Sequence, residues 1–350
     1  MTREHRSLNK TILITGGAGF IGSNFVQRIF KEHPTWKIIV LDALTYAGNP
    51  ENIPAEIRES GRFDFWYGSV TQPMLVDKIV PQADYIVHFA AETHVARSIF
   101  DNTKFFETDV IGTQVMMNAA LENKKLDRFI HISTSEVYGS AEREPMDEEH
   151  PLNPTSPYAG AKCGADRLVY SYMQTYPNMP VMILRPFNNY GPRQHLEKLI
   201  ARFVTGMLKD QPVRVYGDGD NSRDWLYVED TCEAVEKALL ADIGRVKGEI
   251  INLGTGRSIS VMEIANIIAD ILEKPKSLIM QTPARPGEVK QHISSTEKAA
   301  KVLEWTATTK FEDGIVKTIN WYKNNADWWK KLEWMKEVPI TLEDGSVVMY

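Results

Sequence analysis

Cysteine is almost missing from this chain: two in 350 residues, Cys163 and Cys232, far apart and with neither CxxC spacing nor clustered histidine. That excludes a disulfide framework and a zinc site, so no metal is expected, and it leaves buried thiols in a reducing compartment. A basic excess is missing too. Lys+Arg 40 against Asp+Glu 46 gives a net charge of -6, which offers no positive field to a phosphate backbone, so nucleic acid is not an expected partner. No apolar run approaches the length of a membrane span. The polar opening "MTREHRSLNK" leads into a short strand rather than a signal-peptide core. There is no internal repeat and no low-complexity stretch. The expectation is a cytoplasmic enzyme or binding protein.

What the chain does have is alternation. "TILIT" (11–15) is a β-branched run that breaks on "GGAGFIG", and Phe25, Ile29 and Phe30 behind it are spaced for one buried helical face. "WKIIVLD" (36–42), "ADYIVHFAA" (83–91), "RFIHISTS" (128–135) and "PVMILRP" (180–186) repeat the strand. Helical stretches lie between them, "DVIGTQVMMNAALEN" and one beginning near Tyr158. Continuous apolar strands separated by helices indicate a parallel sheet covered on both faces. The expected fold is α/β: a Rossmann-type doubly wound parallel sheet over 1–188 and a smaller, interleaved C-terminal substrate-binding lobe over 189–350. "GEIINLGTG" (248–256) reads as one more strand, so parts of 225–255 are expected to return to the first domain. "VMEIANIIADILE" (261–273) reads as an amphipathic helix. The final "LEWMKEVPITLEDGSVVMY" suits a small hairpin turning at "EDG", either a strap on its own subunit or a dimer contact.

Gly16, Gly19 and Gly22 form GxxGxxG between the first strand and its helix. Glycine there permits a tight turn, close backbone approach to a pyrophosphate, and helix–strand contact, with the helix N-terminus facing the anion. A glycine motif alone also fits a plain turn. Here it stands in the strand–turn–helix context, and Asp42 ends the next strand about 20 residues on. A carboxylate at that place accepts the ribose hydroxyls and repels a 2′-phosphate, which favours NAD over NADP; a simple strand-end turn is the other reading of Asp42.

Tyr158 and Lys162 stand four apart in "SPYAGAK". Ser156 caps, Pro157 suits the first helical position, and the spacing puts both side chains on one face. A neighbouring ammonium and a cationic nicotinamide would lower the phenol's pKa and make it a base. With 13 tyrosines in the chain, roughly one YxxxK arises by accident. Position gives this one its weight, since it follows "ISTSE" by one loop.

Together these residues resemble the extended short-chain dehydrogenase/reductase family over nearly the whole chain. "LDALTYAGNPENI", "FAAETHVARSI", "NNYGPRQHLEKLI", "YGDGDNSRDWLYVED" and "NADWWKKL" are similar to nucleotide-sugar 4,6-dehydratases, most closely those acting on dTDP-glucose. The resemblance implies an NAD-dependent lyase working through an internal redox cycle. Tyr158 takes the 4-hydroxyl proton as C4 is oxidised, aided by Thr134 and Lys162. The ketone acidifies C5, Glu136 removes that proton, water leaves from C6, and the hydride returns to C6. A C4 epimerase needs no such acid; for Glu136 the plainer reading is a solvated strand-end carboxylate. The implied cofactor set is Gly16, Gly19, Phe20, Ile21, Gly22, Asp42, Thr45, Ser69, Val70, Ala90, Ala91, Tyr158 and Lys162, and a homodimer is the implied assembly.

Three departures stand out. The dTDP-glucose enzymes read Thr-Asp-Glu where this chain has Thr134-Ser135-Glu136, and a serine cannot replace the aspartic acid that protonates the 6-hydroxyl. Thr-Ser-Glu is similar to GDP-mannose 4,6-dehydratases and UDP-glucuronate decarboxylases, so Glu136 is expected to serve as base and acid, with Ser135 orienting. Ser69 stands where relatives carry an acid near adenine, and "RPFNNYG" replaces "RCSNNYG". On the substrate side the resemblance implies His94 near the sugar (or as a core histidine) and Asn189 or its neighbour Asn188 at the diphosphate. It puts Glu197, Lys198 and Leu199 near the base, and Arg223 and Arg285 at the phosphates. A surface ion pair of Arg223 with Asp220 or Asp224 is the plainer alternative. Other activities of the same class are UDP-glucuronate decarboxylase, 4-epimerase and 5,6-dehydratase; a silent NAD-binding sensor is the different one.

Overall fold

The protein was analysed as a computed structural model that describes residues 9–283, 290–337, 339–341 and 347–349. Arg285 and the "EDG" turn lie outside the described residues.

Each β-branched run becomes a strand because it has both faces to bury. β1 (Thr11–Thr15), β2 (Lys37–Asp42), β3 (Phe63–Tyr67), β4 (Tyr85–His88), β5 (Arg128–Ile132), β6 (Val181–Pro186) and β10 (Ile250–Leu253) form one sheet in the order β10-β6-β5-β4-β1-β2-β3. Every pairing in it is parallel, with Ile14 beside both Val40 and Val87. Side chains alternate between two cores. Ile12, Ile14, Val40, Val87 and Ile132 enter one, against the Phe20–Glu32 helix and the Val228–Leu240 helix. Leu13, Ile39, Leu41, Ile86 and Phe129 enter the other, against the Thr113–Glu122 and Pro157–Thr175 helices. The chain thus forms the doubly wound α/β fold the pattern implies. Its strand order reverses between β1 and β4, and in such sheets ligands bind at that crevice, beyond the strands' carboxyl ends.

β3 escapes a reading by continuous apolar runs, because it is an edge strand whose Tyr67 is exposed. The Thr113–Glu122 helix also begins differently from expectation: residues Phe106–Gly112 ahead of it wind as a π-helix. Beyond β6 lie β7 (Asn188–Tyr190), β8 (Val213–Tyr216), β9 (Ser222–Tyr227), β11 (Ser258–Ser260) and β12 (Ile279–Thr282). They form a three-stranded sheet, β11-β9-β7, and a β8–β12 pair. Around them Phe203, Met207, Trp225, Ile268, Ile315 and Trp329 make a separate core. β13 (Pro339–Thr341) and β14 (Val347–Met349) pair antiparallel, as the tail's alternation suggested.

Candidate active site

A cavity of about 480 Å³ opens at the reversal point. All thirteen residues expected at the cofactor line it, and so do Glu197 and Lys198.

The glycine turn leaves no room for side chains. Gly16 sits at φ +69, and a Cβ there would lie 2.7 Å from the Ala90 amide nitrogen. A Cβ on Gly22 would run into the Gly16 carbonyl oxygen. Gly19 caps the 13-residue Phe20–Glu32 helix with no side-chain hydrogen bond, and no acid occupies its first turn. Its leading N–H groups therefore face the cavity with the positive end of the helix dipole, a setting for a diphosphate. Asp42 Oδ2 accepts the Ala18 amide at 2.9 Å and Oδ1 that of Leu44 at 2.8 Å. Burial raises its pKa against the pull of these two amides, and each oxygen keeps a lone pair for a ribose hydroxyl. Ser69 bonds Thr71 Oγ1 at 2.8 Å on the cavity wall. The residues present fit a dinucleotide without a 2′-phosphate.

At the other end, Ser156 Oγ accepts the Ala159 amide at 3.2 Å and starts the helix that carries Tyr158 and Lys162. Lys162 is buried and donates from Nζ to the Ile132 carbonyl at 2.8 Å. Burial lowers its pKa, partly offset by Asp109 and Asp166. Tyr158 bonds the hydroxyls of Thr134 and Thr93. Its phenol is held well above the ordinary value, by its enclosure first and then by Glu136 and Asp109. The expected lowering counts on the Lys162 ammonium together with a cationic nicotinamide; in the protein by itself, burial and these two carboxylates raise the phenol's pKa.

Thr134 Oγ1 also accepts the Glu136 amide at 3.2 Å, capping the short 3-10 turn Ser135–Tyr138. Thus one hydroxyl ties the acid-bearing turn to the phenol. Ser135 is buried, while Glu136 is half-exposed and acts electrostatically on Tyr158, Lys198 and His292. A phenol and an ammonium on the wall of a dinucleotide cavity, with a hydroxyl bonded to the phenol and a carboxylate acting on it, can move protons at two neighbouring carbons.

The substrate-side expectations fare unevenly. The Asn189 amide is taken up by the Phe187 carbonyl (2.9 Å) and by Thr231, whereas Asn188 Oδ1 is buried with no partner among the described residues. The neighbour is the better placed of the two. Glu197 is tied to Arg97 at 2.8 Å and Tyr46 at 2.9 Å. Burial alone would raise its pKa, but His94, Lys198, His195 and Arg97 bring it below the usual value. Lys198 Nζ bonds the Thr93 carbonyl at 2.9 Å. Leu199, partly buried, packs against the separate core of the later strands. His94 accepts the Arg97 amide at 3.3 Å, a helix cap, and burial lowers its pKa to about 3. Asp224 is occupied by Thr255, Gly256 and Ser294; Arg223 lies close enough to act on His292.

With this geometry in hand, the comparisons are direct. The family model described as GDP-mannose 4,6 dehydratase matches residues 13–318. The chain belongs to that family. Among curated relatives, a dTDP-glucose 4,6-dehydratase of Streptomyces niveus is 41% identical over 326 residues, 92% of this chain and 95% of that protein. Among solved structures, a double mutant of the Streptomyces venezuelae dTDP-glucose 4,6-dehydratase DesIV, with NAD bound, superposes with a TM-score of 0.87 at 38% identity, covering 92% of this chain and 99% of that one. The Bacillus anthracis dTDP-glucose 4,6-dehydratase with NAD gives 0.84 at 38%, covering 93% and 100%. The likeness drawn from the motifs is borne out.

Two residues of this family member were not anticipated. Asp109 lies in the π-helical segment, where Oδ1 accepts the Glu92 amide at 2.8 Å and Oδ2 has no partner among the described residues. Burial raises its pKa to about 7. In sequence it is only the first residue of the helical stretch "DVIGTQVMMNAALEN". His292, behind the Glu136 turn, carried no signal at all.

Proposed function

We propose that the chain is an NAD-dependent nucleotide-sugar 4,6-dehydratase, with dTDP-glucose as its first substrate. The observation that carries this is the placing of Tyr158 and Lys162 on one dinucleotide cavity, with the phenol bonded to Thr134 and acted on by the Glu136 charge. The chemistry bound NAD supplies is reversible hydride acceptance and a positive charge beside the phenol. Tyr158 draws the proton from the sugar's 4-hydroxyl, in contact with Thr134, while Lys162, anchored on Ile132, supports the site's charge. Glu136 removes the C5 proton made acidic by the 4-ketone, the C6–oxygen bond breaks, and the hydroxyl leaves as water with the proton Glu136 held. The amides of the Phe20–Glu32 helix are the assigned contacts of the cofactor's diphosphate, and Asn188 and Arg223 those of the substrate's.

The division near residue 188 into a cofactor domain and a substrate lobe, with 225–255 returning, belongs to this reading, and the separate cores support it. So does a homodimer, supported by exposed Ile99, Phe100, Phe106 and Ile111 on neighbouring helical turns. A cytoplasmic setting is favoured by two free cysteines and, among the described residues, by no helix long and apolar enough to cross a membrane.

The test is to incubate purified protein, without added NAD, with dTDP-glucose, UDP-glucose, UDP-N-acetylglucosamine, GDP-mannose and UDP-glucuronate, and weigh the products. Loss of water from a hexose supports the proposal; loss of carbon dioxide, or an isomer of unchanged mass, refutes it. Glu136→Gln should abolish water loss and leave slow C4 oxidation, seen as enzyme-bound NADH.

A further inference from the structure

Segment 290–295 threads between the strand bearing Arg223 and the loop ahead of the catalytic helix. The Ser222 amide donates to the Lys290 carbonyl at 2.9 Å, the His292 amide to the Ser222 carbonyl at 3.2 Å, and the Met146 amide to the Ile293 carbonyl at 2.8 Å. This pins the His292 ring, fully buried, against the edge of Phe187. Its Nε2 lies 2.7 Å from the Gly139 carbonyl oxygen. Gly139 closes the turn that carries Glu136, its own amide donating to the Glu136 carbonyl at 3.2 Å.

The tautomer follows from chemistry. A carbonyl only accepts, so Nε2 holds the hydrogen and Nδ1 is a bare acceptor in the neutral ring. Nδ1 is buried with no partner among the described residues, and a buried acceptor left unpaired costs about 1–3 kcal/mol. The charged and titratable groups acting on the ring are Glu136 on the turn, Arg223 on β9 and His150 in the loop. Burial lowers its pKa, with Arg223 and His150 adding to that and Glu136 opposing it. The imidazole is therefore neutral and lacks a donor.

Ser135 cannot act as a second acid, so Glu136 must hold the C5 proton until the departing 6-hydroxyl takes it. A protonated carboxyl is a donor. We propose that His292 is a positioning residue for this elimination: the Glu136 side chain, once protonated, turns toward the ring, and the unpartnered Nδ1 accepts its hydrogen bond, keeping that proton ordered between C5 and the 6-hydroxyl. The inference rests on the dehydratase reading above. His292 neither gains nor loses a proton.

Parent, His292→Phe and His292→Gln are assayed with dTDP-glucose for water loss, enzyme-bound NADH and deuterium uptake at C5 from heavy water. Phenylalanine removes the acceptor, so water loss should fall about 10- to 100-fold, with KM within about twofold and NADH accumulating on the enzyme. Glutamine offers an N–H to Gly139 and an acceptor in place of Nδ1, and should recover the parent rate to within about fivefold. Water loss at the parent rate in His292→Phe, or glutamine as slow as phenylalanine, overturns the inference. If the phenylalanine variant does not fold, side-chain nitrogen NMR of the otherwise unaltered protein decides. The Nδ1 signal should shift on adding dTDP-glucose to the parent and stay fixed in Glu136→Gln; the same response in both overturns the inference. A parent that dehydrates no hexose nucleotide overturns this inference and the functional reading together, whereas an active parent with indifferent variants overturns this one alone.

Discussion

Replacing Asp109 by asparagine removes one charge from a buried carboxyl that acts on Lys162 and keeps its shape. The Oδ1 that accepts the Glu92 amide survives the change. Asp109 has a pKa raised from 3.8 to about 7 by burial, with Lys162 and the Glu92 amide pulling the other way. A raised acid binds its proton more tightly folded than unfolded. Between about pH 4 and about pH 7 the native state therefore holds more protons, and stability falls as pH rises through that window. At ~1.4 kcal/mol per pH unit, the gap from 3.8 to about 7 sets a ceiling of about 4 kcal/mol. Asp109→Asn carries no such penalty. Its stability gain over the parent should be near zero at about pH 4 and reach about 2–4 kcal/mol at about pH 8. His88 and His131, whose pKa values burial lowers, lose stability as pH falls in both proteins, so the difference isolates Asp109. Urea unfolding at the two pH values measures it. A gain equal at both, or a variant weaker at about pH 8, refutes the reasoning.

Two further outcomes follow from the same coordinates. Gly22→Ala sets a Cβ against the Gly16 carbonyl oxygen, a backbone atom that cannot swing aside; about 1–3 kcal/mol of stability should be lost. The purified variant should also carry less NAD, read from its nicotinamide-to-protein absorbance ratio. Asp166→Asn breaks a fully buried pair in which Arg185 meets both carboxylate oxygens, at 2.8 and 2.9 Å, at a cost of about 3–5 kcal/mol. Burial would raise the Asp166 pKa, but Arg185 brings it far below the ordinary range. Its contribution is present above about pH 4 and lost as pH falls, so parent and variant urea midpoints should converge in strong acid.

How far the sequence discloses such a site depends on whether a role is written in residue type or in placement. The sheet was legible because its inner strands are continuous β-branched runs stopped by glycine or a polar residue; β3 was not, because an edge strand carries exposed residues such as Tyr67. The lining of the cavity was legible because glycine spacing and a strand-end acid are local demands. The choice between Asn188 and Asn189 could not be read from two identical side chains: Thr231, 42 residues away, decides which amide is occupied. Asp109 was hidden because a π-helical turn has no local signature and only tertiary burial makes its carboxyl unusual. The raised pKa of the phenol in the protein by itself has a related source: burial first, then carboxylates brought in from the Ser135–Tyr138 turn and the π-helical segment.

The turn itself explains how a hydroxyl can replace a carboxyl at position 135. Successive residues of a 3-10 turn point about 120° apart, so Ser135 and Glu136, behind the extended cap residue Thr134, face different ways. Thr134 is turned toward Tyr158, Ser135 into the protein at 1% exposed, and Glu136 stays half-exposed. A carboxyl in the place of Ser135 would have to be desolvated, which is costly for a charged group without a partner; a serine is tolerated there. In this packing the turn has one half-exposed carboxylate, and on the proposed dehydratase reading that carboxylate both takes the proton and returns it. The demand on Glu136 is set by the direction in which its neighbour points.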